Sequence, residues 1–367
     1  MKIAFISGAR SDYGPIKRIL KEISINRDID LTIIAHGLHF IQSFGNTIEE
    51  IREDNFGNII EIPTLNNDYS KASEYYQTFN AIFKHLNESS YDFVIILGDR
   101  LESYAAALAA HFAKNIIIHF GGGHRTNGAV DDIYRFNITN LSNYHIVTTK
   151  QAFDTLITLP TIKKDNVYLV GSCSVDAIKE FLKFPVPITK YIPDLKTNYA
   201  LMTFHPVTLV NEPLVEIMKL SIELILSKGF DVVITYPNND ENSQDIINFI
   251  NKVNNINGVF IMPHLGTQGY YSAINDSSFV IGNSSSGLIE APYFNKQVIN
   301  IGSRQEGRTI DKSVDTVSAN TDKVLDLLNF HFHNGWRSNT CENLYGNGVA
   351  TQKFISILHE ISKNMKV

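Results

Sequence analysis

Cysteine is nearly absent: Cys173 and Cys341 are the only two in 367 residues. Two thiols build neither a disulfide framework nor a multi-cysteine metal site, and a reducing, cytoplasmic setting is the expectation. Long apolar runs are also missing. No stretch approaches the about 18 apolar residues of a membrane span. The opening Met1-Lys2-Ile3-Ala4-Phe5-Ile6-Ser7-Gly8 breaks at glycine, too early for the apolar core of a secretion signal. Nor is there an excess of positive charge. With 32 Lys and Arg against 38 Asp and Glu, the net charge of -6 gives no global attraction to nucleic acid or an anionic membrane. An anionic ligand must then be held locally, by single arginines and helix ends. What is present is the balance of a soluble globular protein, 44% hydrophobic and 19% charged, in a chain long enough for two domains with their own cores.

Short apolar runs bounded by glycine, proline or polar clusters alternate with longer segments of helical apolar spacing. The pattern predicts strands over residues 3–7, 31–35, 93–97, 116–119, 145–148 and 168–170, with helices over 16–25, 75–86 and 103–113. Prolines at 185, 187 and 193 interrupt this series. It then resumes with strands over 199–203, 232–235, 259–262, 279–281 and 298–301, an amphipathic helix over 214–227 and a last helix over 349–361. Alternating strands and helices imply parallel sheets with crossover helices. The expected organisation is α/β: a Rossmann-like domain over 1–184, a second over 185–348, and a terminal helix over 349–367 that returns to the first. No strict repeat relates the halves. Two doubly wound sheets would set the carboxyl ends of their strands around a shared cleft, where ligands of such folds bind.

Several strand ends carry chemistry. The first strand runs into Gly8-Ala9-Arg10-Ser11-Asp12-Tyr13-Gly14. Either this turn offers backbone N–H groups and Arg10 to a phosphate, or it is a plain strand-to-helix turn capped by Asp12. Gly282-Asn283-Ser284-Ser285-Ser286-Gly287 is the stronger phosphate turn, rich in small donors before a helix; its plainer reading is a capped serine loop. Glu290, on that helix, is either a partner for ribose hydroxyls or a first-turn acid favoured by the helix dipole. Asp99, in Gly98-Asp99-Arg100, is either an acid or base at a strand end or an N-cap. The loop His119 to Asp132 is dense in glycine and ionisable groups and leads to a helix on which Asp131 and Arg135 share a face, set for catalysis or for a surface ion pair. Two histidines five apart, His119 and His124, could suggest a metal, but their spacing is not diagnostic of one. His205 follows the first strand of the second half, as proton shuttle, phosphate ligand or buried structural histidine. Tyr236-Pro237-Asn238 and Gly302-Ser303-Arg304-Gln305 end later strands and can add polar contacts.

In order and spacing these motifs resemble the UDP-N-acetylglucosamine 2-epimerases, especially the hydrolysing branch that makes N-acetylmannosamine. The resemblance runs from Arg10-Ser11-Asp12-Tyr13 through His39, Gly45-Asn46-Thr47, Gly98-Asp99-Arg100, Gly128-Ala129-Val130-Asp131-Asp132, His205-Pro206-Val207-Thr208 and Tyr236-Pro237-Asn238. It continues through the serine turn and Gly302-Ser303-Arg304-Gln305 to Leu344-Tyr345-Gly346-Asn347-Gly348. It implies a glycosyltransferase-B type of fold, a homodimer, and a UDP-sugar as the only partner, with no metal or nicotinamide. By the same carry-over, Arg10, His205, Ser285, Ser286, Glu290 and Arg304 hold the UDP. Asp12, His39, Arg135, Asn238, Asn283 and Ser284 complete the substrate-binding set, and Asp99, Asp131 and His205 share the proton work.

One stretch departs from that pattern. Hydrolysing members usually carry a glutamate after two glycines, with an earlier acidic or histidine side chain; here the corresponding places are His124 and Gly121. Phe136 stands where histidine is common. A glycine transfers no proton, so His124 is expected to take over part of the glutamate's task. Three readings follow. The first is a hydrolysing 2-epimerase of UDP-N-acetylglucosamine or a modified amino sugar. The others are a glycosyltransferase using the same donor, and a non-catalytic nucleotide-sugar binder.

Overall fold

The computed structural model describes residues 1–42, 46–64, 71–125, 131–207, 210–237, 243–263, 265–336 and 341–364. By compactness the chain divides into two units. Residues 1–124, 131–176 and 345–364 make the first; residues 177–344 make the body of the second.

The first unit runs β1 (Lys2–Ser7), α1 (Arg10–Ser24), β2 (Asp30–His36), α2 (Ile48–Asp54), β3 (Asn58–Ile62), α3 (Lys71–Glu88) and β4 (Phe93–Leu97). It continues with α4 (Leu101–Phe112), β5 (Ile117–Phe120), α5 (Asp131–Leu141), β6 (Tyr144–Val147), α6 (Lys150–Ile157), β7 (Val167–Leu169) and α7 (Cys173–Phe181), inside which the division between units falls. Its seven strands form one sheet in the order β3-β2-β1-β4-β5-β6-β7, every pair parallel. Strands β1, β2 and β4 are buried on both faces, which is why they read as continuous apolar runs. One face packs against α1 through Phe5, Ile16, Ile19 and Leu20, the other against the alanine-rich side of α4.

The second unit runs β8 (Tyr199–Thr203), α8 (Leu214–Ser227), β9 (Asp231–Thr235), α9 (Ser243–Val253), β10 (Val259–Met262), α10 (Gly266–Asp276) and β11 (Phe279–Gly282). Then come α11 (Ser285–Ile289), β12 (Val298–Ile301), β13 (Val314–Val317) and α12 (Thr321–Asn334). Its parallel sheet has the order β10-β9-β8-β11-β12-β13. Both sheets are therefore doubly wound. Each reverses direction beside its own first strand, at β1/β4 and at β8/β11, and such switch points are where open α/β sheets bind ligands.

The last helix, α13 (Ala350–Asn364), belongs to the first unit. Phe354 packs edge-on against Phe120 with ring centroids 4.8 Å apart, and Leu358 and Ile361 join the core under α1. Asp176 fixes its start by accepting from the backbone N–H of Ala350 (2.9 Å) and Thr351 (2.7 Å).

Three local differences from the sequence expectation have physical causes. Helix α1 begins at Arg10, ahead of Pro15, because the Asp12 carboxylate takes up the turn's free N–H groups and starts the helix early. Strands β3 and β13 were not expected. Both are short edge strands with polar residues inside, Glu61 in one and Asp315 and Thr316 in the other, so neither gives an apolar run. Among the described residues no helix is long and apolar enough to cross a membrane.

Candidate active site

In the second unit, His205 follows β8 and Asn283 follows β11, across the switch point. The Asn283 side-chain amide closes a pair of hydrogen bonds onto the His205 backbone, accepting from its N–H (2.7 Å) and donating to its carbonyl (2.8 Å). The Asn283 carbonyl in turn accepts from Gln305 Nε2 (2.8 Å) and Arg304 Nη1 (3.2 Å), which ties the turn after β12 to the turn after β11. Asn283 is thus a fastener, with both ends of its amide spent inside the protein. Gly282 has φ +141°, and a side chain there would drive into the Thr203 carbonyl; only glycine lets β11 turn here.

Ser284 caps α11, its Oγ accepting from the Ser286 N–H at 3.4 Å. The Ser286 hydroxyl donates to Glu290 Oε2 (2.5 Å), and the Tyr271 hydroxyl reaches Oε1 (3.5 Å). Burial raises the Glu290 carboxyl above its ordinary range, although both hydroxyls oppose the rise. Tyr270 hydrogen-bonds through its side chain to Ser286, Thr203 and Ser284, so one phenol braces the serine turn. His205 is buried, and burial together with the positive charge of Arg304 lowers its pKa to about 3. It stays a neutral imidazole at physiological pH.

In the first unit, Asp99 follows β4 through Gly98, whose φ is +93°. Arg100, not Asp99, occupies the N-cap of α4, so the capping reading of Asp99 does not hold. Its carboxylate instead forms an ion pair with Arg135, whose guanidinium is almost fully buried. Arg135 also pairs with Asp132 and donates to the His124 carbonyl (2.9 Å). Burial works against that guanidinium, but Asp99 and then Asp132 and Asp131 outweigh it, and its pKa is raised. On the helix Arg135 pairs with Asp132, three residues back, and the charge of Asp131 adds to the rise of its pKa.

His119, fully buried at the end of β5, fixes the base of this arrangement. Its Nε2 lies 2.9 Å from the Gly98 carbonyl, which only accepts, so Nε2 carries the proton and Nδ1 accepts from the Thr139 hydroxyl (3.1 Å). Burial lowers its pKa to about 4, which keeps that tautomer neutral. His124 Nε2 meets the Thr148 hydroxyl at 2.7 Å. His119 and His124 therefore have separate partners. Among the described residues no group of three or more His, Cys, Asp or Glu gathers as metal ligands do. Phe136 packs on the apolar cluster of Val147, Ala152 and Leu156.

The turn after β1 is a capped turn. Asp12 Oδ2 accepts from the N–H groups of Gly8 (3.0 Å) and Ala9 (3.1 Å), so these donors are spent on the protein. Burial raises Asp12 to about 7, against the opposing charge of Arg100. His39 is fully buried with both ring nitrogens engaged, Nε2 with Ser7 (2.8 Å) and Nδ1 with Thr47 (2.8 Å), and supports the turn from below. Arg10 is partly exposed and lies 3.6 Å from Glu50. Asn238 lies outside the described residues, as do Gly45, Thr208 and residues 128–130 of the motifs.

Tyr270, Tyr271 and the His119–Thr139 pair were not singled out from the sequence. Two tyrosines on an amphipathic helix read as core, and only the fold brings them to the serine turn.

The sequence profile of the family described as UDP-N-acetylglucosamine 2-epimerase matches residues 21–359. A Legionella pneumophila UDP-N,N'-diacetylbacillosamine 2-epimerase (hydrolyzing) is 30% identical over 100% of this chain and 97% of its own length. A Campylobacter jejuni GDP/UDP-N,N'-diacetylbacillosamine 2-epimerase (hydrolyzing) is 31% identical over 89% of this chain and 87% of its own. The crystal structure of UDP-GlcNAc 2-epimerase from Neisseria meningitidis bound to UDP-GlcNAc superimposes with a TM-score of 0.84 at 18% identity, covering 98% of this chain and 100% of that one. That likeness is one of fold, the glycosyltransferase-B type expected from the motifs. With a family match over nearly its whole length and two Rossmann-like sheets in the family's architecture, this chain belongs to the UDP-N-acetylglucosamine 2-epimerase family of enzymes.

Proposed function

We propose that the chain is a hydrolysing 2-epimerase of a UDP-linked N-acetylated amino sugar. The C2 proton is removed and UDP departs from C1, leaving a 2-acetamidoglucal. Water then adds its hydroxyl at C1 and a proton at C2, releasing the free 2-epimer, which is N-acetylmannosamine when the substrate is UDP-N-acetylglucosamine. The observation that carries this reading is Asp99, a carboxylate at a switch point oriented by the buried Arg135. A carboxylate so anchored suits the C2 proton transfer, with Asp131 as its neighbour at the start of α5.

From the second unit, Ser285, Arg304 and the His205 imidazole hold the diphosphate, and Glu290 accepts from the ribose. Glu290 receives two hydroxyls inside the protein and keeps lone pairs for more. The neutral state of His205 makes it a single N–H donor rather than a counter-charge, so Arg304 and Arg10 supply the positive charge for the leaving group. The two relatives' names, both hydrolyzing 2-epimerases of a diacetylated amino sugar, support the same reaction class.

Incubation with UDP-N-acetylglucosamine in deuterated water, followed by NMR, tests the reading. Free N-acetylmannosamine carrying deuterium at C2 is expected. Retained UDP-linked product would show reversible epimerisation instead, and UDP release only when an acceptor is added would show a glycosyltransferase.

The same reading includes a homodimer in the cytoplasm. Tyr76 and Phe112 stand more than half exposed on α3 and α4, and Phe112 meets Phe79 edge-on in the row of rings Tyr75, Phe79 and Phe83. Such an aromatic face suits a subunit interface, and light scattering at micromolar concentration is expected to report twice the chain mass.

A further inference from the structure

Two buried carboxyl groups at the β1/β4 switch point take no part in the proton transfers proposed for the reaction. Asp12, in the first turn of α1, and Glu102, in the first turn of α4, are 3% and 4% exposed. Gly8 is wedged between them. Its N–H donates to Asp12 Oδ2, and a side chain built on it would come within 2.9 Å of Glu102 Cγ and 2.8 Å of the His36 ring. One guanidinium serves both acids: Arg100 pairs with Glu102, and its charge also reaches Asp12. Arg100 is about a third exposed, so water weakens its hold on the buried pair. Two buried carboxylates against one partly solvated cation leave negative charge uncompensated, and a proton on one of them relieves it.

Asp12 is the acid placed to take that proton, since Glu102 holds the ion pair with Arg100. Asp12 Oδ2 is committed to the N–H groups of Gly8 and Ala9. Its Oδ1 lies 3.4 Å from the hydroxyl of Ser11, an exposed residue that gives a proton a path from solvent. The other chargeable neighbours do not compete. Burial keeps His36, with a pKa of about 4, neutral around pH 7, and Asp99, next to Gly98, is paired with Arg135. The Asp12 carboxyl is accordingly raised to about 7, chiefly by burial, with Arg100 opposing and Glu102 adding to the rise. Arg10, assigned above to the leaving group, stands two positions before Asp12 in the same helical turn. A diphosphate held there brings negative charge beside a carboxyl already balanced between its two states and strengthens its hold on a proton.

We propose that Asp12 takes up a proton from solvent when the diphosphate of the substrate settles at Arg10, the new O–H bond forming at Oδ1, so that pH governs substrate affinity through a group outside the reaction. The inference rests on the reading that Arg10 meets the diphosphate of a UDP-sugar.

Calorimetry in two buffers of different ionisation enthalpy tests it. The full chain carries Asp99→Asn, which slows turnover and removes that carboxyl as a rival proton acceptor. The probe is UDP-N-acetylglucosamine, whose diphosphate is esterified at both ends and has no group titrating near neutral pH. At pH 7.5 an uptake of about half a proton per bound ligand is expected, with affinity about fivefold higher at pH 6 than at pH 8. Adding Asp12→Asn, which keeps an acceptor for the N–H groups of the turn, is expected to abolish both effects. Adding Glu102→Gln instead removes the like charge and is expected to move the affinity change to lower pH, which a purely structural role would not do. Should the Asp12 variant fail to fold, the Glu102 variant decides alone, and an unmoved pH dependence would overturn the proposal. Equal binding heats in the two buffers would also overturn it, as would proton uptake that survives Asp12→Asn. Those outcomes leave the hydrolysing reading standing, whereas failure of the nucleotide sugar to bind at all removes both.

Discussion

Arg135 ties Asp99, Asp132 and the His124 carbonyl together in the first unit. A buried guanidinium facing two carboxylates is held in place only while its partners remain. Arg135→Met would leave Asp99 and Asp132 without their counter-charge, and a fall of about 3–5 kcal/mol in unfolding free energy is expected in urea titration. Asp99→Asn keeps the shape and removes the base. Its turnover with UDP-N-acetylglucosamine is expected to fall at least about 100-fold while UDP affinity by calorimetry stays within about twofold. His124 stands differently, because its Nε2 meets Thr148 and its carbonyl holds Arg135. If His124 carries part of the proton work, His124→Ala slows UDP release about tenfold or more with unchanged thermal stability; an unchanged rate removes that role. The pair Asp132 and Arg135 is three residues apart on one helix, but the pair with Asp99 is not legible locally. Asp99 and Arg135 are 36 positions apart, and nothing in their neighbourhoods names the pair.

At the scale of elements, the turns after β1 and β11 were readable in advance because their signals are local. Glycine at a strand end followed by a helical pattern marks a turn, and in both sheets that turn sits where the strand order reverses. The edge strands β3 and β13 were not readable, since a half-exposed strand has no continuous apolar run to betray it. The last helix was readable as a helix, but its lodging under α1 is a tertiary fact. Phe354 is fully buried against Phe120 and the first unit's core. Phe354→Ala is expected to cost about 3–5 kcal/mol in chemical denaturation, the range for emptying a buried phenylalanine site.

For the whole molecule, burial of histidine sets the response to acid. His36, His39, His119, His145 and His205 are all pushed to about 3–4, in each case chiefly by desolvation. Their ordinary pKa is 6.5, so their contribution to stability is complete above pH 6.5 and is lost as pH falls toward 4. Each loses about 1.4 kcal/mol per pH unit in that window, because the unfolded chain takes the proton and the folded one does not. Asp12 has the opposite sign. Raised from 3.8 to about 7, it favours the folded state as pH falls through 7, and Glu290 acts in the same direction. Five groups outweigh two, so the melting temperature is expected to drop between pH 7 and pH 5. Asp12→Asn removes one of the opposing groups and is expected to steepen that drop; a shallower one in differential scanning calorimetry would refute the assignment.

The sequence by itself determined the α/β alternation, the two strand-end turns and the family pattern that runs through them, because apolar periodicity and turn chemistry are written in neighbouring residues. Only the tertiary structure decided what each polar group is free to do. It spent Asp12 on the N–H groups of its own turn, closed Asn283 onto the backbone of His205, buried His39 between Ser7 and Thr47, and gave Arg135 to Asp99. The physical reason is one of distance along the chain. Only for Asp12 do the partners lie in its own turn, where local pattern offered the capped reading; those of Asn283, His39 and Arg135 include groups more than thirty positions away, which no local pattern announces.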